Sequence, residues 1–401
     1  MSSRAESGAL EVRDVPEIPE RTDVVVVGGG IAGTSAAYHL ARTGMDVVLL
    51  ERGRIGSGAT GAAVGVLSPP LRQPFHETVH FLGQGVACTL WHFASHSIAT
   101  LGALLESSGE ADRSGLDLSG GHVLAEPHTI HEVRRSFEAL EAAGIEVQWI
   151  TPGDIRSTIG GQGFAGGFRI EGGGGLNPGP TAVAVAKAAE AEGAVIGEDL
   201  DVLEAHRVQG GFRCEAGPHS VFCSSVVYAT HVDSARFSNL VRREIVPIRG
   251  QGFATRSLDP TFSGCYSTHW KLNVWRQAPN GQIVAGGWRH DAWDRAYRQS
   301  DADIDEHLQR DLRHWFEASF PKTRPLQVKD RWSGVFGWTA DYLPMVGELP
   351  GHPGEFIITG FSGGGLPFAF ECGRILATTI SGEPAVEGAE IFAPERFSTP
   401  Q

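Results

Sequence analysis

The sequence has 401 residues, 41% of them hydrophobic and 20% charged, enough to bury a sizeable core and too apolar for a disordered chain. Its 33 Lys and Arg stand against 47 Asp and Glu, and the net charge of -14 argues against a broad nucleic-acid footprint or adhesion to an anionic membrane. Five scattered cysteines (Cys88, Cys214, Cys223, Cys265, Cys372) without a C-x-x-C pair disfavour a disulfide framework or a zinc site. Cys214 and Cys223 could face each other across a hairpin, but two half-buried reduced thiols are the expectation. No stretch reaches the ~18 apolar residues of a membrane span. The Ser-, Glu- and Pro-rich start has no apolar signal region and predicts a flexible tail over 1–21 on a soluble, cytoplasmic protein.

The first elements are the sharpest. Asp23-Val-Val-Val-Val27 is a β-branched run suited to a buried parallel strand. It leads into Gly28-Gly-Gly-Ile-Ala-Gly33, a G-x-G-x-x-G turn, and a helix over 31–43 that stops at Gly44. A second strand, Asp46–Leu50, ends at Glu51. In such a unit Gly28 makes the tight turn, Gly30 lets the backbone approach a pyrophosphate, and Gly33 packs helix against strand. The helix start at Ile31 and Ala32 offers N–H groups to phosphate. Glu51 is placed to accept from an adenosine ribose, and an acid there disfavours a 2′-phosphate, so NADP is not expected.

Further on, helices are expected over Thr129–Ala143 and Asp301–Phe320, the latter ending before Pro321. Phe356–Thr359 is a strand, Gly360–Gly365 a turn and Leu366–Ser381 a helix whose glycine-rich start suits the negative charge of a reduced flavin. A dinucleotide fold built from three separated segments fits this order.

Several stretches together carry a resemblance. They are the small-residue loop Arg52–Pro69, the run Glu171–Pro178, Val226–His231, Trp332–Gly347 and Phe356–Gly365. The sequence resembles the FAD-dependent amine and amino-acid oxidoreductases of the D-amino-acid oxidase family, including glycine oxidase, sarcosine oxidase and γ-glutamylputrescine oxidase branches. The resemblance implies an α/β chain with a Rossmann-type FAD-binding domain from discontinuous segments (22–70, 171–236, 332–390). It implies a mixed-sheet α+β substrate domain (71–170, 237–331) and a C-terminal tail over 391–401. FAD contacts are implied at Gly28, Gly30, Ile31, Ala32, Gly33, Glu51, Arg52, Ser57, Ala59, Thr60, Val202, Ala229 and Thr230. They continue at Gly334, Asp341, Gly363, Gly364, Gly365 and Leu366. Relatives that link flavin covalently use a Cys in the stretch matching Trp332–Asp341 or a His in that matching Ser57–Leu67. Neither stretch has one here, so FAD is expected to be non-covalent.

Departures shape the substrate reading. Glycine oxidase relatives carry a carboxylate-clamping Arg where this chain has Phe336. A sarcosine-oxidase relative has a Lys where Pro367 stands, and the strand over 282–286 lacks the Lys that some relatives use with oxygen. Arg72 and Arg276 are the substitutes for a carboxylate clamp. Trp is concentrated from Trp270 to Trp338, and a cage of Trp275, Phe336 and Trp338 would hold an ammonium group or a large aromatic amine. His269, Tyr266 and His76 are candidate bases. The resulting expectation is oxidation of a C–N bond in a primary or secondary amine, or an amino-acid derivative, by hydride transfer to flavin N5. The imine then hydrolyses, and molecular oxygen or another acceptor takes the electrons. A 2-hydroxy-acid or α-amino-acid oxidoreductase, or a flavin subunit of an electron-transfer complex, stays open.

Overall fold

A computed structural model describes residues 16–69, 73–268, 272–287 and 293–398. In chain order its strands begin with β1 (Arg21–Val27), β2 (Val47–Leu50), β3 (Val66–Leu67), β4 (Gly121–Ala125), β5 (Val147–Ile150) and β6 (Gly166–Ile170). Next are β7 (Gly174–Gly175), β8 (Val195–Gly197), β9 (Val202–Val208), β10 (Gly211–Ala216), β11 (His219–Tyr228) and β12 (Val246–Ser257). The last are β13 (Cys265–Thr268), β14 (Asn273–Gln277), β15 (Gln282–Gly287), β16 (Val328–Trp338), β17 (Met345–Glu348) and β18 (Glu355–Thr359). The helices are α1 (Ile31–Arg42), α2 (Phe75–Leu82), α3 (Gln84–Ser107), α4 (Ile130–Ala142) and α5 (Pro152–Ile159). They continue with α6 (Pro178–Ala191), α7 (Asn239–Glu244), α8 (Trp293–Ala296), α9 (Glu306–Ser319) and α10 (Gly365–Ser381).

Two sheets of eight strands organise these elements. The first runs β17-β18-β11-β1-β2-β8, parallel from β18 to β8, with β9 and β10 hanging antiparallel from β11. Both faces of β1 are covered, which is why its sequence is apolar without alternation. Val24 and Val26 join the core under α1, α3, α6 and α10, while Val25 and Val27 join the core on the opposite face. The second sheet runs β16-β12-β15-β14-β13-β4-β6-β5 and is antiparallel except between β13 and β4. Helix α9 packs on its outer face through Leu312 and Phe316, and α4 does so further along through Val133 and Phe137.

Three expectations change at this level. Residues 332–338, assigned by sequence to the cofactor domain, lie in β16, which pairs with β12 along its length in the second sheet. The supposed tails are packed where they are described: Ile18 and Phe392 are both buried. Helix α9 starts at Glu306 rather than Asp301, because the Asp305 carboxylate accepts from His307 N and Leu308 N and so fixes the N-cap there. Cys214 and Cys223 are free thiols with Sγ atoms 4.0 Å apart, both buried.

Candidate active site

The turn after β1 is forced by contact. Gly28 has φ +107°, and a Cβ on it would stand 2.7 Å from Ala229 O. A Cβ on Gly33 would stand 1.9 Å from Gly28 O, so Gly33 packs the helix on the turn rather than lining the site. Helix α1 then begins with no side-chain cap and no acid in its first turn, leaving N–H groups available to an anion. Thr60 Oγ1 accepts from Ile31 N at 3.0 Å, tying the Arg52–Pro69 loop to the same turn. The Glu51 carboxylate accepts from Gly29 N at 2.6 Å and Gly53 N at 2.8 Å, which fixes it at the end of β2 with lone pairs to spare.

From here a cavity of about 740 Å³ runs between the two sheets. It is lined at one end by Glu51, Arg52, Val202 and Asp233, and in the middle by Gly28, Gly30, Ile31, Ala32, Ala229 and Thr230. Ser57, Ala59 and Thr60 line it from the loop, with Gly334 and Phe336 from β16. Gly363, Gly364, Gly365 and Leu366 line it from the start of α10. Helix α10 also starts without a side-chain cap or an acid in its first turn. A long molecule with an anionic middle and an apolar ring end matches these walls. Among the described residues that line the cavity there is no cysteine.

The loop is pinned to the second sheet twice. Trp332 Nε1 donates to Ala62 O at 2.9 Å, and Arg276 Nε donates to Val64 O at 2.7 Å. A second Arg276 nitrogen donates to Asn177 Oδ1 at 2.8 Å. Arg276 is buried, and burial pushes its pKa down to about 10, which leaves it charged at neutral pH. The sequence pointed to Arg276 as a carboxylate clamp or catalytic group. In the structure it lines the cavity with two of its donors already committed to the loop and to Asn177.

Other expectations are corrected. Trp275 is fully buried behind the second sheet, stacked 5.4 Å from Tyr266 and packed on Trp315, Phe316 and Phe320. Strand alternation explains this, since Val274 and Arg276 face the cavity and Trp275 points away. Trp338 packs with Ile248, Ala296 and Tyr342, so the Trp275–Phe336–Trp338 cage is not assembled and only Phe336 lines the cavity. Tyr266 is sandwiched between His122 and Trp275, and burial raises its pKa to about 12, which removes it as a base. His76 lies on α2 with Nδ1 2.9 Å from Ser136 Oγ, away from the cavity. Asp341 is an ion-pair partner of Arg396 at 2.7 Å and does not line the cavity. His269 and Arg72 fall outside the described residues.

Sequence reasoning missed three features of the walls. Gln251 donates to Asp303 O and Ser333 Oγ while accepting from Gln309, forming a polar floor between β12 and β16. Ser300, Ala302 and Ile304 face the cavity from an extended strap before α9. His231, at the end of the quoted Val226–His231 stretch, lines the cavity with φ +57°. For the strap, the alternation Ser300-Asp-Ala-Asp-Ile-Asp305 was the available signal.

Comparison with known proteins follows the same outline. The family model described as FAD dependent oxidoreductase matches residues 23–379. The chain is 25% identical to glycine oxidase of Geobacillus kaustophilus over 381 residues, covering 90% of this chain and 93% of that one. It is 24% identical to gamma-glutamylputrescine oxidoreductase of Escherichia coli over 382 residues, covering 90% and 84%. Among solved structures, the Geobacillus kaustophilus glycine oxidase superposes with a TM-score of 0.80 at 23% identity, covering 94% of this chain and 99% of that one. L-proline dehydrogenase from P. horikoshii gives 0.80 at 19% identity, covering 95% and 99%. With most of its length inside that model and a cavity shaped for a dinucleotide, the chain belongs to the FAD-dependent oxidoreductase family.

Proposed function

We propose that this enzyme oxidises a C–N bond in a primary or secondary amine or an amino-acid derivative, giving an imine that water hydrolyses. The observation that carries the proposal is the continuous cavity, in which dinucleotide-binding turns open into a chamber floored by Phe336, Gln251 and Ser333. FAD, when bound, supplies a two-electron acceptor that takes a hydride at N5. The residues present do the rest. Uncapped N–H groups at the start of α10 favour negative charge at the ring end. Phe336 and Trp332 exclude water, and a desolvated chamber favours the neutral form of an amine. Gln251 and Ser333 orient polar groups of the substrate.

A second reading keeps a carboxylate on the substrate. On the second-sheet side the charged residues lining the cavity, among those described, are Arg276 and Arg331, whereas Glu51, Asp201 and Asp233 lie towards the opposite end. Arg331 is ion-paired with Glu306 at 2.6 Å, half of a clamp that an α-amino or 2-hydroxy acid would recruit. The names of the relatives, one an amino-acid oxidase and one an amine oxidoreductase, bracket the two readings.

Anaerobic mixing of the purified holoenzyme with panels of amines, α-amino acids and 2-hydroxy acids tests both. Bleaching of the flavin band by amines without a carboxylate supports the first reading. Bleaching only by acids transfers it to the second, and loss of that bleaching in Arg331→Gln then identifies the clamp. No bleaching by any amine or amino acid overturns the proposal. Readmitting air reads the acceptor: rapid recovery of colour marks an oxidase, slow recovery a dehydrogenase.

A further inference from the structure

His231 lines the cavity between the turn after β1 and the turn before α10. It follows Thr230 and Ala229, whose carbonyl abuts the Gly28 turn, and its own carbonyl accepts from Thr359 Oγ1 at 2.8 Å, at the end of β18. Strand β18 runs on into the turn before α10. A dinucleotide that reaches from the phosphate turn to the α10 turn therefore passes this side chain, which lines the cavity.

Its conformation is not the one the chain would choose for packing. His231 has φ +57°, a region that L side chains rarely adopt, and a glycine would occupy it freely. The imidazole Nε2 accepts from Gly337 N at 3.4 Å, which leaves the ring proton on Nδ1. That Nδ1–H has no partner among the described residues, yet it is not sealed in the core with the orphaned buried atoms. Burial pushes the ring pKa down to about 4, so the group is a neutral single donor at physiological pH. Strained residues that carry an unused donor into a binding cavity are where backbone strain has a use.

We infer that His231 is a cofactor contact: its Nδ1–H donates to an oxygen of the sugar–phosphate span of FAD. Its ring is held by Gly337 and its backbone by Thr359, so the donor is aimed before FAD arrives.

The test uses the holoenzyme and three chains: wild type, His231→Gly and His231→Asn. The rate of FAD release on dilution is followed by recovery of free FAD fluorescence, affinity by retitration, and the melting temperature of each FAD-free chain is measured alongside. Glycine relieves the strain and removes the donor, so H231G is expected to bind FAD roughly tenfold more weakly while its FAD-free melting temperature holds or rises. Asparagine tolerates the left-handed backbone and keeps a side-chain N–H, so H231N recovers most of the affinity. Affinity in H231G within about twofold of wild type overturns the inference. So does failure of H231N to recover it when H231G is also thermally weakened, because the ring then serves only to pack against Gly337. Wild type purified without any bound flavin is a separate outcome, which strikes at the cofactor assignment instead.

Discussion

Arg276 and Trp332 act on one loop from two strands, and that loop has no regular structure of its own apart from β3. Arg276 Nε on Val64 O and its second nitrogen on Asn177 join β14, the loop and the start of α6. Replacing Arg276 with Met keeps most of the volume but strips both acceptors of a charged donor. The expected cost is about 2–4 kcal/mol, read as a lower melting temperature together with weaker FAD binding. Unchanged stability would mean that water takes over both bonds. His39 makes a different kind of residue-scale prediction. It stands on α1 against Phe370 of α10, and burial, then the nearby Arg374 and Arg42, pull its pKa from 6.5 down to about 3. In the unfolded chain the ring takes up a proton as pH falls below 6.5, while in the folded chain it does so only near 3. The unfolded state thus binds more protons across that window, and stability is lost as pH falls through it. His39→Leu should flatten the decline of melting temperature between pH 6.5 and 3, compared with wild type. Parallel declines in the two proteins would count against the burial argument.

At the scale of elements, the strap before α9 is built from alternation. Ser300, Ala302 and Ile304 turn to the cavity, while Asp301 between them and Asp305 after them pair with arginines. Arg249 pairs with Asp301 and reaches Asp305, Arg295 also pairs with Asp305, and Gln251 holds Asp303 O. Ion pairs partly exposed to solvent weaken as the Debye length shrinks, from ~30 Å at 0.01 M salt to ~3 Å at 1 M. Raising salt over that range should speed iodide quenching of the bound flavin's fluorescence severalfold, and Arg249→Gln should do the same at low salt. A quenching rate independent of both would show that ligands enter elsewhere. The strap also shows what local sequence carries. The β1–α1–β2 unit was legible because each of its parts is specified by its own neighbours: a β-branched run, a glycine turn, a helix stop. The strap reads as helix in sequence because Asp305 caps α9 only when its carboxylate turns back on His307 and Leu308, while Asp301 before it is drawn away by Arg249, remote in sequence. Trp275 was misread for a related reason. A strand's alternation is visible in sequence, but which of its two sides meets the cavity depends on what the sheet packs against.

For the whole molecule, the cavity exists because two sheets face each other across a loop, and the chain crosses between them several times. The order of glycine-rich motifs made the cofactor-binding half recognisable in sequence. The chamber end was not, because Gln251, Ser333, Phe336 and the strap come together only through the pairing of β12 with β16. Two of the helices that open on the cavity, α1 and α10, cross so closely that a Cβ on Gly373 would stand 2.6 Å from Ser35 C. Gly373→Ala touches no cavity wall, yet it must push the helices apart, so it should lower FAD affinity and melting temperature together. Wild-type affinity in that variant would show that the crossing yields without moving either helix start.

That crossing also works as a ruler. One helix begins at the phosphate turn and the other at the ring end, and their separation is fixed deep in the domain rather than by anything the ligand touches. A flavin mononucleotide carries the ring but not the adenosine half, so it leaves the Glu51 end empty when seated at α10, and shifting it towards α1 withdraws the ring from the chamber. A cofactor that is to reach both helix starts must therefore match that separation, and the spacing is set by a glycine that lines no part of the cavity.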